Sequence, residues 1–155
     1  MAARKILVPY NFTRNDEKAI AFVIDRFAQQ SGDTQITLFH AFIPVPEIEI
    51  NDKTVMSRLA GNLAYLRQKN YELEETLEQA QTRLVSAGFP EQSVKRIFKP
   101  QEKEIAQEII EQAGKGEFTT LVLNHNPSKI KRYFTPSVTK KVARALKDIE
   151  LSIVG

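Results

Sequence analysis

The sequence predicts an α/β fold in which a parallel sheet carries helices on both faces. Two observations lead to this prediction. Short runs of mostly apolar residues alternate along the whole chain with segments whose apolar residues recur at helical spacing. The run over 5–10 is mostly apolar, as a strand buried on both faces should be. Five strands and four helices result, and a chain of 155 residues fits one domain spanning positions 1–155.

The first half of the chain supplies two strands and two helices. Thr13 and Asp16 have the spacing of a capping box, in which the acidic side chain reaches back to the residue that begins the helix. Pro44 and Pro46 stop the second strand, and Gly88 closes the second helix. The predicted elements are a strand over 5–10, a helix from 13 to the Ser31-Gly32-Asp33 stop, a strand over 35–43 and a helix over 55–87.

The second half repeats the alternation with shorter elements. Thr135 and Pro136 form a good helix start, since threonine caps well and proline suits the first helical position. The apolar stripe of this last helix runs to Ile149. The predicted elements are strands over 93–98, 118–123 and 151–154, a helix over 102–113 and a helix from 136 onward.

The second helix carries a seven-residue repeat. It would be about 50 Å long at 1.5 Å per residue, which is more than five short strands can cover. We expect its stripe to pack on the sheet with the N-terminal part overhanging. The alternative is that part of residues 55–87 serves a partner or a second subunit. The repeat positions are Leu59, Leu63, Leu66, Asn70, Leu73, Leu77, Ala80 and Leu84.

Composition narrows the function classes. The net charge is only +3, and the absence of cysteine excludes disulfides and thiolate chemistry. No apolar run is long enough to span a membrane, and the N-terminus lacks the features of a signal peptide, so we expect a cytoplasmic protein. Residues 129–147 hold seven Lys or Arg and no acidic residue, which favours a solvated face over an anion site. Nucleic acid is a disfavoured partner, because only Tyr133 and Phe134 could stack on bases.

Ligands of parallel sheets bind beyond the carboxyl ends of the strands, which directs attention to the loops after Tyr10, Ile43, Phe98 and Leu123. The last of these loops leads into a helix, as phosphate-binding turns do. It contains no glycine, however, and prolines stand at 127 and 136.

Neither histidine indicates a metal or a catalytic site. His40 lies within a strand and is expected to be a core or pocket-wall residue, whereas His125 lies in the candidate loop. Two histidines so far apart in sequence are not a metal signature. Ser137 lacks the glycines of a hydrolase elbow, so we expect no enzyme activity.

Three segments together resemble the universal stress protein family. Residues 6–13 (ILVPYNFT) resemble the opening strand and its turn, residues 38–42 (LFHAF) the second strand, and residues 121–139 with 151–154 the C-terminal half. The resemblance implies an open, Rossmann-like five-stranded sheet of order 3-2-1-4-5, similar to the adenine nucleotide alpha hydrolase-like folds. It also implies a homodimer joined through strand 151–154.

Some members of that family bind ATP or related nucleotides through Gly-x-x-Gly, nine residues, then Gly-Ser or Gly-Thr. The matching glycine positions here are Asn124, Pro127 and Pro136, and the loop is one residue shorter. Asn11 stands where the family has its adenine-side aspartate. The candidate nucleotide-binding positions implied by the resemblance are Asn11, Ala41, Asn124, Pro127, Lys129, Ser137, Val138 and Thr139.

These replacements matter because glycine lets backbone N–H groups approach phosphate, and proline has no N–H group. Losing two hydrogen bonds to a charged group costs about 3–6 kcal/mol, or about two to four decades of affinity. Lys129, Lys131 and Arg132 could compensate with side-chain charge. We therefore expect a non-enzymatic stress-response or regulatory homodimer without tight ATP binding in the usual mode. The alternative is a sensor that still binds ATP, AMP or another adenine nucleotide.

Overall fold

The five strands form one parallel sheet of order β3-β2-β1-β4-β5, which confirms the predicted fold class. The computed structural model describes residues 4–45, 53–124 and 136–154, with the backbone alone described for Arg14 and residues 53–60. The most buried strands, β1 and β4, lie side by side in the sheet. The strands are β1 (Arg4–Pro9), β2 (Thr34–Phe42), β3 (Val94–Pro100), β4 (Thr120–Asn124) and β5 (Glu150–Val154).

Four helices cover the sheet and divide the core into two clusters, one on each face. The first cluster joins α1 and α2 to residues of β1 such as Ile6 and Val8. The second joins α3 and α4 to Leu7 and to Leu121 and Leu123 of β4. The alternation of side chains along β1 thus supplies both cores. The helices are α1 (Arg14–Phe27), α2 (Lys53–Ser86), α3 (Ile105–Lys115) and α4 (Pro136–Ala145).

Helix ends differ from the sequence predictions by a few residues. A short 3₁₀ helix over Ala28–Asp33 follows α1 instead of a continued α-helix. Helix α3 begins at Ile105 because the backbone before it is extended at Glu104. The carboxylate of Glu108 also accepts the N–H of Glu102 at 3.0 Å, which satisfies that group outside the helix. Helix α4 ends at Ala145, short of the predicted stripe.

The 34 residues of α2 divide into a buried and a half-exposed part. Leu77, Ala80 and Leu84 are buried on the sheet, whereas the preceding repeat positions Leu63, Leu66, Asn70 and Leu73 are half-buried. The Asn70 amide donates to the Ile43 carbonyl at 3.0 Å, just beyond the end of β2. The stripe therefore packs on the sheet through its C-terminal half, as expected. None of the described helices is long and apolar enough to cross a membrane.

The two halves of this stripe should differ in their effect on stability. Leu84→Ala removes a fully buried side chain and should lower the free energy of unfolding by about 2–5 kcal/mol. Leu63→Ala, at a half-buried position of the same stripe, should cost about 1 kcal/mol or less. Urea unfolding of both variants measures the difference. An equal loss in both would contradict this division of the helix.

Candidate functional site

The carboxyl ends of β1 and β4 bring together two asparagines that are 113 residues apart in sequence. The register pairs Leu7 with Leu121, so Asn124 at the end of β4 stands level with the turn that follows β1. Asn11 Nδ2 donates to Asn124 Oδ1 at 3.1 Å. Asn11 is 8% exposed and Asn124 is fully buried. Both asparagines were predicted site positions, and the structure places them in contact.

Asp16, in the first turn of α1, completes this cluster. Its Oδ1 accepts the N–H of Asn11 at 3.1 Å and the Asn124 amide at 2.8 Å, and its Oδ2 accepts the N–H of Thr13 at 2.8 Å. The last bond confirms the predicted reach of Asp16 back to the helix start. The carboxylate therefore links α1, the turn after β1 and the end of β4.

The turn after β1 is shaped around this carboxylate. Phe12 has a φ of 61°, a left-handed conformation that a residue with a Cβ adopts rarely. This conformation aims consecutive N–H groups at one point, which is the geometry of an anion-binding nest. The N–H groups of Asn11, Phe12 and Thr13 all act on Asp16. The chain thus fills its own anion nest with an internal carboxylate.

Burial has the largest effect on the pKa of the Asp16 carboxyl group. Asp16 is 2% exposed, and burial raises its pKa to about 7, against the lowering effect of the N–H groups and of the Asn124 amide. The same surroundings act on the neighbouring Tyr10 hydroxyl, whose pKa is raised first by burial and then by the charge of Asp16.

The hydrogen bonds also determine which way each amide points. Because a carboxylate only accepts, Asn124 must turn its Nδ2 to Asp16 and its Oδ1 to Asn11. Asn11 then faces Thr13 with its Oδ1, which accepts the Thr13 hydroxyl at 2.8 Å. The side chains of Thr13, Asn11, Asn124 and Asp16 are thus joined in series by hydrogen bonds, and each has a partner within the cluster.

A small cleft lies beside this cluster, between the ends of β1 and β2 and the start of α3. Its volume is about 10 Å³, enough for about one water molecule. Ala41, a predicted site residue, lines it together with Asn11. The described residues around the cleft are Pro9, Tyr10, Asn11, Phe39, His40, Ala41, Ile105 and Ile109.

His40 forms part of the cleft wall, in agreement with the sequence interpretation. Its Nδ1 lies 2.8 Å from the Tyr10 carbonyl, so this nitrogen carries the hydrogen. Phe12 meets the ring edge-on at 4.6 Å, and Phe98 stacks on it at 5.8 Å. Burial lowers the pKa of His40, which favours the neutral ring. The position suits a packing role.

The remaining predicted positions are at the start of α4 or in the loop before it. Ser137 is exposed in the first turn, Val138 is half-buried and Thr139 is buried. Pro127, Lys129 and His125 lie outside the described residues. Within the described parts of the chain, no group of histidine and acidic residues could hold a metal ion.

Sequence reasoning assigned Asp16 a capping role and missed its place at the centre of the site. The signal was present, because Asp16 precedes Ile20, Val23 and Phe27 at helical spacing on the apolar face of α1. A carboxylate on a buried stripe needs partners, and the tertiary structure supplies them from β4.

The sequence matches the family model described as the universal stress protein family over residues 2–147. The chain matches no curated protein. The fold resembles the structure of a universal stress protein from Lactobacillus plantarum, with 13% identity and a TM-score of 0.65. That alignment covers 100% of this chain and 99% of the other.

Two similar structures were solved with nucleotides. A universal stress protein in complex with cAMP has 19% identity and a TM-score of 0.64, covering 100% of this chain and 99% of the other. The universal stress protein from Archaeoglobus fulgidus in complex with dAMP has 14% identity and a TM-score of 0.62, covering 100% of both chains. At these identities the likeness shows a common fold.

The buried carboxylate should make stability depend on pH. The pKa of Asp16 is higher in the folded protein than in the unfolded chain, so the folded state holds the proton more tightly. Its contribution to stability is complete below about pH 4 and is lost as the pH rises through about 7. The free energy of unfolding of the wild type, minus that of Asp16→Asn, should fall by up to about 4 kcal/mol over this window.

Urea unfolding at several pH values measures this difference. Asp25→Asn, at an exposed position of the same helix, serves as the matched control for the loss of one carboxylate. A flat difference for Asp16→Asn would contradict the assignment of a raised pKa to Asp16.

Proposed function

The chain belongs to the universal stress protein family, and from this premise we propose that it is a non-enzymatic stress-response or regulatory protein without tight ATP binding in the family's usual mode. One observation carries the proposal. The polar groups at the carboxyl ends of β1 and β4 are bonded to one another through Asn11, Asn124 and Asp16. No buried side-chain nitrogen or oxygen among the described residues lacks a partner.

This arrangement opposes nucleotide binding in two ways. A ligand that took the Asn11 amide would leave Asn124 without its partner, and an unpaired buried amide costs about 1–3 kcal/mol. The cleft that the described residues form beside Asn11 has room for about one water molecule, which is less than a purine needs. Both costs add to the loss of backbone N–H donors at Pro127 and Pro136.

The alternative is a sensor that binds ATP, AMP or another adenine nucleotide weakly. Two similar structures hold cAMP and dAMP, which supports this candidate through the shared family and fold. In this chain the replaced glycines would shift recognition from backbone N–H groups to side chains such as Lys129. The nucleotide would then bind by charge, and its affinity would fall with added salt.

We also propose that the protein is a homodimer joined through β5. This strand is an edge of the sheet, and a free edge is a pairing surface. Ile153 on β5 is 51% exposed, which places an apolar side chain at that edge. The opposite edge is partly covered, because the Gln81 amide donates to the Val94 carbonyl of β3 at 2.7 Å. The half-exposed part of α2 is the second candidate surface.

The cytoplasmic location of the protein and the absence of a nucleic-acid partner stay predictions from the sequence. We propose that the protein works in the cytoplasm and without nucleic acid. Of the basic run at 129–147, Lys141 lies 3.0 Å from the Glu104 carboxylate, so part of the charge of this run is neutralised within the fold.

Denatured, freshly purified protein should release no nucleotide detectable by mass analysis. Calorimetric titration with ATP should give a Kd of about 1 mM or weaker, because two N–H donors are missing. The variant Pro127→Gly/Pro136→Gly restores both donors and should bind at least about tenfold more tightly. Stoichiometric nucleotide in the wild type, or micromolar affinity, would favour the sensor. Turnover of ATP or of an activated ester would contradict the non-enzymatic role.

Matched substitutions of exposed isoleucines should locate the dimer interface. Ile153→Lys puts a charge on the β5 edge and should weaken self-association about tenfold or more. Ile43→Lys, 66% exposed beside α2, should leave self-association unchanged. Sedimentation over a range of concentrations measures both. The reverse pattern would place the interface at α2, and a wild type that stays monomeric would contradict the dimer.

A further inference from the structure

Thr13, Asn11, Asn124 and Asp16 form a linear chain of hydrogen bonds that ends in an ionisable group. The Thr13 hydroxyl donates to Asn11 Oδ1 at 2.8 Å, Asn11 Nδ2 to Asn124 Oδ1 at 3.1 Å, and Asn124 Nδ2 to Asp16 Oδ1 at 2.8 Å. All three bonds point toward Asp16. The two inner members are carboxamides, and each has an acceptor on one side and donors on the other. The direction of one bond therefore determines the direction of the next.

A proton on Asp16 reverses this direction. If Oδ1 carries the proton, it must donate to Asn124, which can accept only after its amide has turned by 180°. Asn124 Nδ2 then donates to Asn11 Oδ1, and Asn11 Nδ2 donates to the Thr13 oxygen. The heavy atoms exchange roles with little change of position. The second lone pair of Asp16 Oδ1 still accepts the Asn11 N–H, and Oδ2 still accepts the Thr13 N–H.

We propose that Asp16, Asn124 and Asn11 form a proton-operated relay that sets the hydrogen-bonding direction of the Thr13 hydroxyl. With Asp16 ionised, the Thr13 hydroxyl is committed as a donor to Asn11. With Asp16 protonated, the Thr13 oxygen accepts from Asn11, and its hydroxyl hydrogen becomes available to an outside acceptor such as a phosphate or carboxylate oxygen. Thr13 is half-buried at the start of α1, where such a group can be reached.

The ionisable end of the relay is buried. When Asp16 gains or loses a proton, its hydrogen bonds can therefore change only through its partners in the relay. Asp16 and Asn124 are buried, and the described neighbours that act on the carboxylate as donors are Asn11, Phe12, Thr13 and Asn124. None of these is charged, so no ion pair holds Asp16 in its ionised form. In both states the carboxyl group and the two carboxamides keep their partners within the relay, and the hydroxyl hydrogen of the half-buried Thr13 is the one donor released, which fits a pKa near 7 for Asp16.

Other titratable groups stand near the relay and have to be distinguished from Asp16. Tyr10 at the end of β1 is affected by the charges of Asp16, of Arg83 on α2 and of Glu17 on α1. The raised pKa of the Tyr10 hydroxyl keeps it neutral over the range in which Asp16 titrates. His40 packs nearby and bonds the Tyr10 carbonyl, and burial lowers its pKa. His125 follows Asn124 in the sequence and lies outside the described residues.

Nuclear magnetic resonance on the full chain tests the relay. The carboxyl carbon of Asp16 and the side-chain amide signals of Asn11 and Asn124 are followed from about pH 4 to about pH 9. All three should shift with one common midpoint near 7, whereas an unperturbed aspartate titrates near 3.9. A midpoint for Asp16 near 4, or amide signals that stay fixed while Asp16 titrates, would overturn the relay.

Two variants assign the midpoint. In His125→Gln the common midpoint should persist, and its disappearance would assign the titration to the histidine and overturn the proposal. In Asp16→Asn the pH response of both amides should be lost. If Asp16→Asn does not fold, the wild type alone still tests the relay: a common midpoint for Asp16 and both amides supports it, and separate midpoints contradict it. The relay does not depend on the proposed function, because its test involves no nucleotide.

Discussion

The burial of one carboxylate constrains the centre of this molecule. A carboxylate moved from water into a protein interior is stable only when donors surround it. Asp16 obtains these donors from its own turn and from Asn124 on β4, at 2.8–3.1 Å. The left-handed Phe12 and the orientation of both asparagine amides follow from that requirement. The two strands that would flank a ligand are thereby joined to each other.

The same bonds occupy polar groups at the carboxyl ends of β1 and β4. Beyond the ends of parallel strands, polar groups are left for a ligand to satisfy. Here Asn11 and Asn124 satisfy each other, and the cleft that remains beside Ala41 is about 10 Å³. Universal stress proteins solved in complex with dAMP and cAMP share the fold.

Helix length is a second constraint, and it determines which surfaces stay open. A helix of 34 residues extends well beyond the nine residues of β2 that it follows. Its C-terminal part is buried through Leu77 and Leu84, whereas the stripe positions from Leu63 to Leu73 are half-exposed. Apolar side chains are thus left partly open to solvent on α2 and, at Ile153, on the edge strand β5.

The sequence by itself determined the order and type of the nine elements, because apolar periodicity reports burial directly. It also placed Asn11 and Asn124 at strand ends and Asp16 in a capping box. It left open that these three residues meet, since a separation of 113 positions is bridged only when β1 and β4 pair. The tertiary structure alone decided the direction of each amide, because that depends on which donors surround a buried charge.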